Sequence, residues 1–238
     1  MTTSTHERVL IIGASRGLGL ALVQEYLGRG ASVVATVRAG ARTALDDLAL
    51  LYRERLTIET VDVANQPQIA ALRERLEGRS FDLLFVNAGI TNDVQETAAQ
   101  ISTEDFSRIM LVNALAPFRL IETMGDLVDA DGTLAVMSSG QGSVSNNNRG
   151  GFEVYRASKA ALNQLMRSYA VRQRPAIQDA PERTLLLMAP GWVQTDLGGP
   201  GAQLTIAQSI PLLVDTVNGR RGSGGLEYLD YRGEIVPW

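Results

Sequence analysis

The 238-residue chain has no cysteine, which excludes disulfides, thiolate catalysis and cysteine-ligated metal sites. It has one histidine, His6, in a polar stretch, and no catalytic role is expected of it. No metal site is expected at all. Neither sign of charge dominates: 22 Lys and Arg face 26 Asp and Glu, for a net charge of −4. Nothing there points to nucleic acid or an anionic membrane surface as a partner. No apolar run approaches the length that spans a bilayer. Residues 1–7 lack the apolar core of a secretion signal, so the expected location is the cytoplasm. There is no internal repeat and no low-complexity linker, and one domain over residues 1–238 is the expectation. The apolar fraction, 45%, is ordinary for a globular chain and sufficient for a large core.

What is present is alternation. Short apolar, β-branched runs at 8–12, 32–37, 56–61, 82–86, 132–137, 184–188 and 225–229 read as strands. Helical spacing fills 17–29, 42–53, 66–76, 103–128, 154–173 and 204–217. Pro117 lies inside the fourth of these, which predicts a kink or break there. Alternating strands and helices with short connections predict an α/β fold: a doubly wound parallel sheet of about seven strands with helices on both faces. The loops 140–151 and 191–203 follow strands at their carboxyl ends, where such sheets bind ligands.

Gly13-Ala14-Ser15-Arg16-Gly17-Leu18-Gly19 follows the first strand and opens the first helix. Glycines there permit a tight turn and close approach of backbone to a ligand. The helix start adds free N–H donors and a positive field suited to a pyrophosphate. The position in the first strand-to-helix turn predicts dinucleotide binding, although the same glycines could merely join strand to helix. The second strand bears on which dinucleotide. An acid about 20 residues past the loop usually binds the ribose 2′-hydroxyl of NAD, but no Asp or Glu occurs between Glu25 and Asp46. Arg38 stands at the strand end instead, with Arg16 in the loop. Two guanidiniums suit a 2′-phosphate, so NADP(H) is the expected cofactor, the alternative being that both arginines are solvated surface charges.

Tyr155 and Lys159 are four residues apart at the start of a helix, hence on one face. A phenol has a pKa near 10, and a nearby ammonium would lower it and fit it for proton exchange with a carbonyl oxygen. Ser138 and Ser139 end the fifth strand, where a hydroxyl could bond the same oxygen. Taken alone, a Tyr–Lys pair is equally a surface pair. The order of glycine loop, strand-end serine and pair is what gives it meaning.

Together these stretches resemble the classical short-chain dehydrogenases/reductases over nearly the whole chain. The matching residues are Gly13 to Gly19, Asp62-Val63, Asn87-Ala88-Gly89, Asn113, Ser139, Tyr155 to Lys159 and Pro190 to Thr195. The resemblance implies a Rossmann-like single domain and a catalytic set of Asn113, Ser139, Tyr155 and Lys159. It also implies that Asp62 contacts the adenine and that Asn87 supports the cofactor site. Asn113 would hold a water linking Lys159 to solvent, Lys159 would bind the nicotinamide ribose, and Pro190, Gly191, Val193 and Thr195 would cover the nicotinamide end. Asp62 and Asn87 also fit simple turn positions, Asn113 a helix kink and Thr195 a helix cap. The stretches 150–163 and 190–199 and the ending 231–238 are more specifically similar to the C-factor and sniffer branch, whose members are carbonyl reductases or cell–cell signalling factors.

Three departures from the family pattern stand out. Ile12 replaces a Thr before the first glycine, which removes one loop hydroxyl. Val86 replaces an Asn before Asn87. Ser139 and Tyr155 are 16 residues apart in the sequence, three more than is commonest in the family, and the extra length includes Asn146, Asn147 and Asn148. Ser139 is preferred to Ser138 because the second serine of such a pair carries the role in the family. Two other activities stay open: a dinucleotide-binding signalling or sensor protein, and a 3-oxoacyl thioester reductase, to which Arg149 and Arg156 would lend positive charge. The expected substrate is a small carbonyl or alcohol in a fairly open site, because 192–203 is short for a lid. Phe152 and Trp192 are candidate apolar walls and Gln141 a candidate polar contact. Relatives pair through the helices after the fourth and fifth strands, so a homodimer or homotetramer is expected.

Overall fold

The computed structural model describes residues 7–40, 42–93, 95–174 and 183–238; His6 lies outside them. Among the described residues seven strands, β1 (Arg8–Ile12), β2 (Ser32–Val37), β3 (Leu56–Thr60), β4 (Phe81–Val86), β5 (Val128–Met137), β6 (Thr184–Ala189) and β7 (Gly225–Asp230), form one sheet. Its order is β3-β2-β1-β4-β5-β6-β7 and every pairing is parallel. The helices are α1 (Gly17–Gly28), α2 (Ala44–Leu51), α3 (Gln66–Arg75), α4 (Thr103–Met110), α5 (Ala116–Met124), α6 (Glu153–Arg172) and α7 (Ile206–Gly219). Among the described residues no helix is long and apolar enough to cross a membrane.

Each central strand feeds two cores. Val9 and Ile11 of β1, with Leu83 and Phe85 of β4, pack with α1 and α7 through Leu22, Val23, Leu213 and Val214. Their neighbours Leu10, Ile12, Leu84 and Val86 pack on the opposite face with Ile69 and Leu72 of α3, Leu120 of α5 and Leu162 and Met166 of α6. Strand residues alternate between faces, so a strand covered on both sides must be apolar throughout. That is why these segments read as continuous runs. The strand order reverses between β1 and β4, and this opens a crevice at their carboxyl ends.

The expected helix over 103–128 is not one element. It comprises α4, a π turn at Leu111–Leu115, α5, and a 3₁₀ turn at Gly125–Leu127, with Val128 already in β5. Pro117 follows directly on the π turn. The backbone stays helical through Leu111, Leu115 and Ala116, so Pro117 lies inside a continuous helix, and its missing N–H denies the carbonyl of Asn113 its α-helical partner. The interruption centres on Asn113, whose side chain bonds outside the helix.

Candidate active site

The glycine turn sits at the crevice. Gly13 has φ +86°, and a Cβ there would come within 2.8 Å of Ala88, so only glycine lets the two loops touch. The Gly13 N–H donates to Thr36 Oγ1 (3.0 Å), the Ala14 N–H to Thr36 O (2.8 Å), and Asn87 Nδ2 to Gly13 O (2.8 Å). Thr36 was not singled out in the sequence. Its buried hydroxyl on β2 ties down the loop whose own hydroxyl is lost at Ile12. The first turn of α1 carries no acid, and no side chain caps it, so its N–H groups face the groove unneutralised.

The segment 190–203 is more ordered than its length suggested. Trp192 Nε1 donates to Gly198 O (2.8 Å), the Gly198 N–H to Thr195 Oγ1 (3.0 Å), and Gln194 Nε2 to Ala202 O (3.0 Å). Pro190 O accepts from the buried Ser209 hydroxyl (2.7 Å). Val193 is buried and bridges to Leu204. Gly191 has φ +83°. The segment reaches the phosphate loop at two points: Thr195 lies against Gly17, and Asp196 pairs with Arg16 at 2.6 Å. The segment is thus bonded within itself and touches the phosphate loop at its Thr195–Asp196 end.

The outer cofactor positions behave differently. Arg38 is exposed and has no ion pair among the described residues. Arg16 is three-quarters exposed and turned towards Asp196. Asp62 Oδ1 accepts from the Ala64 N–H (3.0 Å), a turn contact that leaves its other oxygen available, and Val63 is half-buried against the core.

The deeper residues converge. Lys159 is 2% exposed and is the only lysine in the chain. Its Nζ donates to Met137 O at the end of β5 (2.8 Å) and lies so close to Gly89 that a Cβ there would be 3.5 Å from it and from Asn113 Oδ1. Burial without a counter-charge pushes the Lys159 pKa down to about 8. Asn113, fully buried, accepts from the Ile90 N–H (2.8 Å) and donates to Ile90 O (2.8 Å) and Ser158 Oγ (3.0 Å). Both of its amide hydrogens are used, which leaves a carboxamide lone pair and the backbone carbonyl for any water. Ser158 passes the contact on by donating to Tyr155 O (2.7 Å). Ser158 was legible only as part of the Tyr-to-Lys stretch.

Tyr155 is reached from the other side by Ser139. Burial pushes its phenol up to about 12, against a Ser139 side-chain hydrogen bond that lowers it and the nearby Tyr228 phenol that raises it. The Lys159 ammonium lies 5.8 Å from the Tyr155 ring centroid and bonds the Met137 carbonyl, and burial is the largest cause of the shift at the phenol. The two serines divide their work: Ser139 faces Tyr155, while Ser138, 2% exposed, donates to Asn163 Oδ1 (2.6 Å). Before Tyr155 the chain passes through three successive left-handed residues, Gly150, Gly151 and Phe152 (φ +52°), and α6 begins without a side-chain cap. Arg156 donates to Gly151 O (2.9 Å) and Gly150 O (3.3 Å). It braces this loop while keeping its positive charge, with no ion pair among the described residues.

An all-parallel doubly wound sheet with a glycine turn at its switch point defines a protein of the dinucleotide-fold α/β class. The chain belongs to the short chain dehydrogenase family, whose profile matches residues 7–201. It is similar to a Burkholderia multivorans protein described as a short-chain dehydrogenase/reductase and solved with bound NADP, at 52% identity and TM-score 0.93, covering 98% of this chain and 100% of that one. It is also similar to a carbonyl reductase from Pseudomonas aeruginosa solved in complex with NADP, at 37% identity and TM-score 0.88 with the same coverage. Among curated proteins it is 35% identical over 159 residues to C-signal of Myxococcus xanthus, covering 66% of this chain and 92% of that protein. That match agrees with the resemblance to the C-factor branch.

Proposed function

We propose that this chain is an NADPH-dependent carbonyl reductase in which Tyr155 is the proton donor. The observation that carries the reading is Lys159, 2% exposed, one helical turn from Tyr155 with its Nζ 5.8 Å from the Tyr155 ring and only the Met137 carbonyl as its hydrogen-bond partner. A phenol with a pKa of about 12 is fully protonated at neutral pH, which is the state that reduction of a carbonyl requires.

The groove suits the cofactor on its own chemistry: Gly13 at positive φ touches Ala88, the first turn of α1 has no acid, and no acid ends β2. In this reading the backbone of Gly13, Ser15, Gly17, Leu18 and Gly19 holds the pyrophosphate, and Arg16 and Arg38 hold the 2′-phosphate. Asp62 and Val63 meet the adenine. Asn87, Ala88 and Gly89 line the middle of the site, Lys159 binds the nicotinamide ribose, and Pro190, Gly191, Val193 and Thr195 cover the nicotinamide end. When bound, NADPH supplies a hydride. Tyr155 gives its proton to the substrate oxygen, and the Ser139 hydroxyl bonds that oxygen as charge develops on it. Lys159, largely protonated at pH 7, favours the phenolate left behind. Asn113 keeps the π turn open beside Lys159, where a water would return a proton from solvent. The cytoplasm is the proposed setting, because cells keep their NADP pool reduced there. The exposed Phe106 and Leu115 favour pairing of two chains through α4 and the π turn.

The test is loss of NADPH absorbance against a panel of ketones and aldehydes, with NADH in parallel. The expected result is turnover that prefers NADPH and falls about 10²- to 10⁴-fold in Tyr155→Phe. Full activity in that variant would remove Tyr155 from the chemistry. A second reading, favoured by the similarity to C-signal, is a nucleotide-binding signalling protein; NADPH binding with no turnover across the panel would select it.

A further inference from the structure

Tyr155, Lys159 and Asn163 stand at i, i+4 and i+8 on α6, one stripe down the helix. The first two face the reacting centre. Asn163 is 3% exposed and faces the turn that presents Ser139. Its Oδ1 accepts from Ser138 Oγ (2.6 Å), and its Nδ2 donates to Gly142 O (3.3 Å). One carboxamide therefore grips the Ser138–Gly142 turn at both ends. The turn lies flush on the helix: a Cβ at Gly142 would come within 2.9 Å of Asn163 Nδ2 and 3.1 Å of the Lys159 carbonyl carbon. From β7 the Tyr228 hydroxyl donates to Ser139 O. The Trp238 ring packs on Tyr228 at 5.6 Å.

We propose that Asn163, with Tyr228 behind it, is a positioning residue that fixes the Ser139 hydroxyl against the Tyr155 phenol. The inference rests on the reading of Ser139 and Tyr155 as the pair that acts on the substrate oxygen. Ser139 and Tyr155 are on different elements, separated by a loop of glycines, serines and asparagines with no helix or strand of its own beyond a single 3₁₀ turn. Such a loop cannot hold a hydroxyl to a fraction of an ångström by itself. Anchoring the turn to the helix that carries Tyr155 makes the two groups move as one body, and a displacement of about 1 Å at such a site can cost 10²-fold in rate. A polar group that merely satisfied the core would affect folding and leave the chemistry of Tyr155 alone.

The experiment uses the full chain with Asn163→Leu, which keeps the branched shape of the side chain and removes both bonds. Asn163→Ser is the second variant should the first not fold. Three quantities are read: kcat on the best carbonyl of the panel, NADPH affinity, and the titration midpoint of Tyr155. The last is followed by ¹⁹F NMR in protein made with 3-fluorotyrosine, whose more acidic phenol titrates in an accessible range. The Tyr155 signal is assigned among the six tyrosines with Tyr155→Phe. The expected result is a fall in kcat of about tenfold or more, NADPH affinity unchanged within about threefold, and a Tyr155 midpoint moved upward as the lowering contact from Ser139 is lost. A folded variant with unchanged kcat and an unchanged Tyr155 midpoint would overturn the proposal. If Tyr155→Phe keeps full activity, the catalytic reading fails by itself, and the fluorine titration still decides whether Asn163 sets the Ser139–Tyr155 contact.

Discussion

At the amino edge of the sheet, the Asp82 carboxylate accepts from the Arg8 N–H (2.8 Å), Arg8 Nε (3.1 Å) and Arg221 Nη2 (2.7 Å). Arg8 also bonds Asp129 (2.6 Å), which accepts from Ser80 as well. At the carboxyl edge, Lys159 is more deeply buried than Asp82, yet it has one neutral carbonyl as partner and no ion pair among the described residues. The titrations diverge accordingly. Burial alone would raise the Asp82 carboxyl, but Arg8 and Arg221 outweigh it and hold the group below its ordinary value. Nothing outweighs burial at Lys159 or Tyr155, so each moves towards its neutral form. One edge satisfies its charge within the chain. The other keeps titratable groups uncompensated, in the arrangement expected where an external partner is to complete them.

The comparison can be broken first at the amino edge. Asp82→Ala removes the carboxylate that Arg8 and Arg221 share and leaves them to Asp129 and Asp131, with an expected loss of about 2 kcal/mol in urea unfolding and little change in activity per folded molecule. Because the folded pKa of Asp82 lies below its unfolded value, its stabilisation is present above about pH 4 and is lost as the pH falls through the folded value. Activity lost in proportion to Asp82→Ala stability would mean that the two edges are not separable.

The opposite sign is expected at the carboxyl edge. Lys159→Met should abolish turnover and raise stability by about 2 kcal/mol at pH 7, since the fall in pKa from 10.5 to about 8 is a penalty of about 3 kcal/mol on the charged form, offset by about 1 kcal/mol for the lost bond to Met137 O. That penalty is fully present below about pH 8. It is relieved as the pH rises towards 10.5, because the unfolded chain there binds more protons than the folded one. The gain in the variant should fade over the same range. With a single lysine, protein labelled at ¹³Cε gives one lysine resonance, and its midpoint should fall near 8. A midpoint near 10.5, or a destabilised Lys159→Met, would show that Lys159 is compensated after all.

The smallest effect on stability is expected at Arg16. Its pair with Asp196 is about three-quarters exposed on both sides, and such pairs contribute little. Arg16→Ala should leave Tm within about 1 °C, yet weaken NADPH binding about tenfold by titration calorimetry, with NADH binding unchanged. Equal losses for both cofactors would assign Arg16 to closing the groove through Asp196 and not to the 2′-phosphate.

Much of this was readable along the chain because it rests on local patterns. The seven strands were expected within four residues of their observed ends, since two-sided burial writes itself as apolar runs. The glycine turn and the Tyr155–Lys159 stripe were legible because both lie within one turn or one helical repeat. The break near Pro117 was legible because a proline is visible in sequence, whereas the bonds from Asn113 to Ile90 and Ser158 beside it depend on a loop 23 residues away and a helix 45 residues away. Thr36 and Tyr228 escaped notice for the same reason, as each acts on a loop that only the sheet brings near.

The sequence by itself determined the alternation, the parallel sheet, the glycine turn at its edge, the lack of an acid after β2, and a tyrosine and a lysine on one face. These follow from periodicity, backbone sterics and the absence of particular side chains, all properties of neighbouring residues. Only the tertiary structure decided that Asn163 ties Ser138 and Gly142 to α6, that Arg16 is shared with Asp196, and that Lys159 is buried against a carbonyl with no ion pair among the described residues. Desolvation and hydrogen-bond partnership depend on what the rest of the chain places around a group, and no local spacing records it.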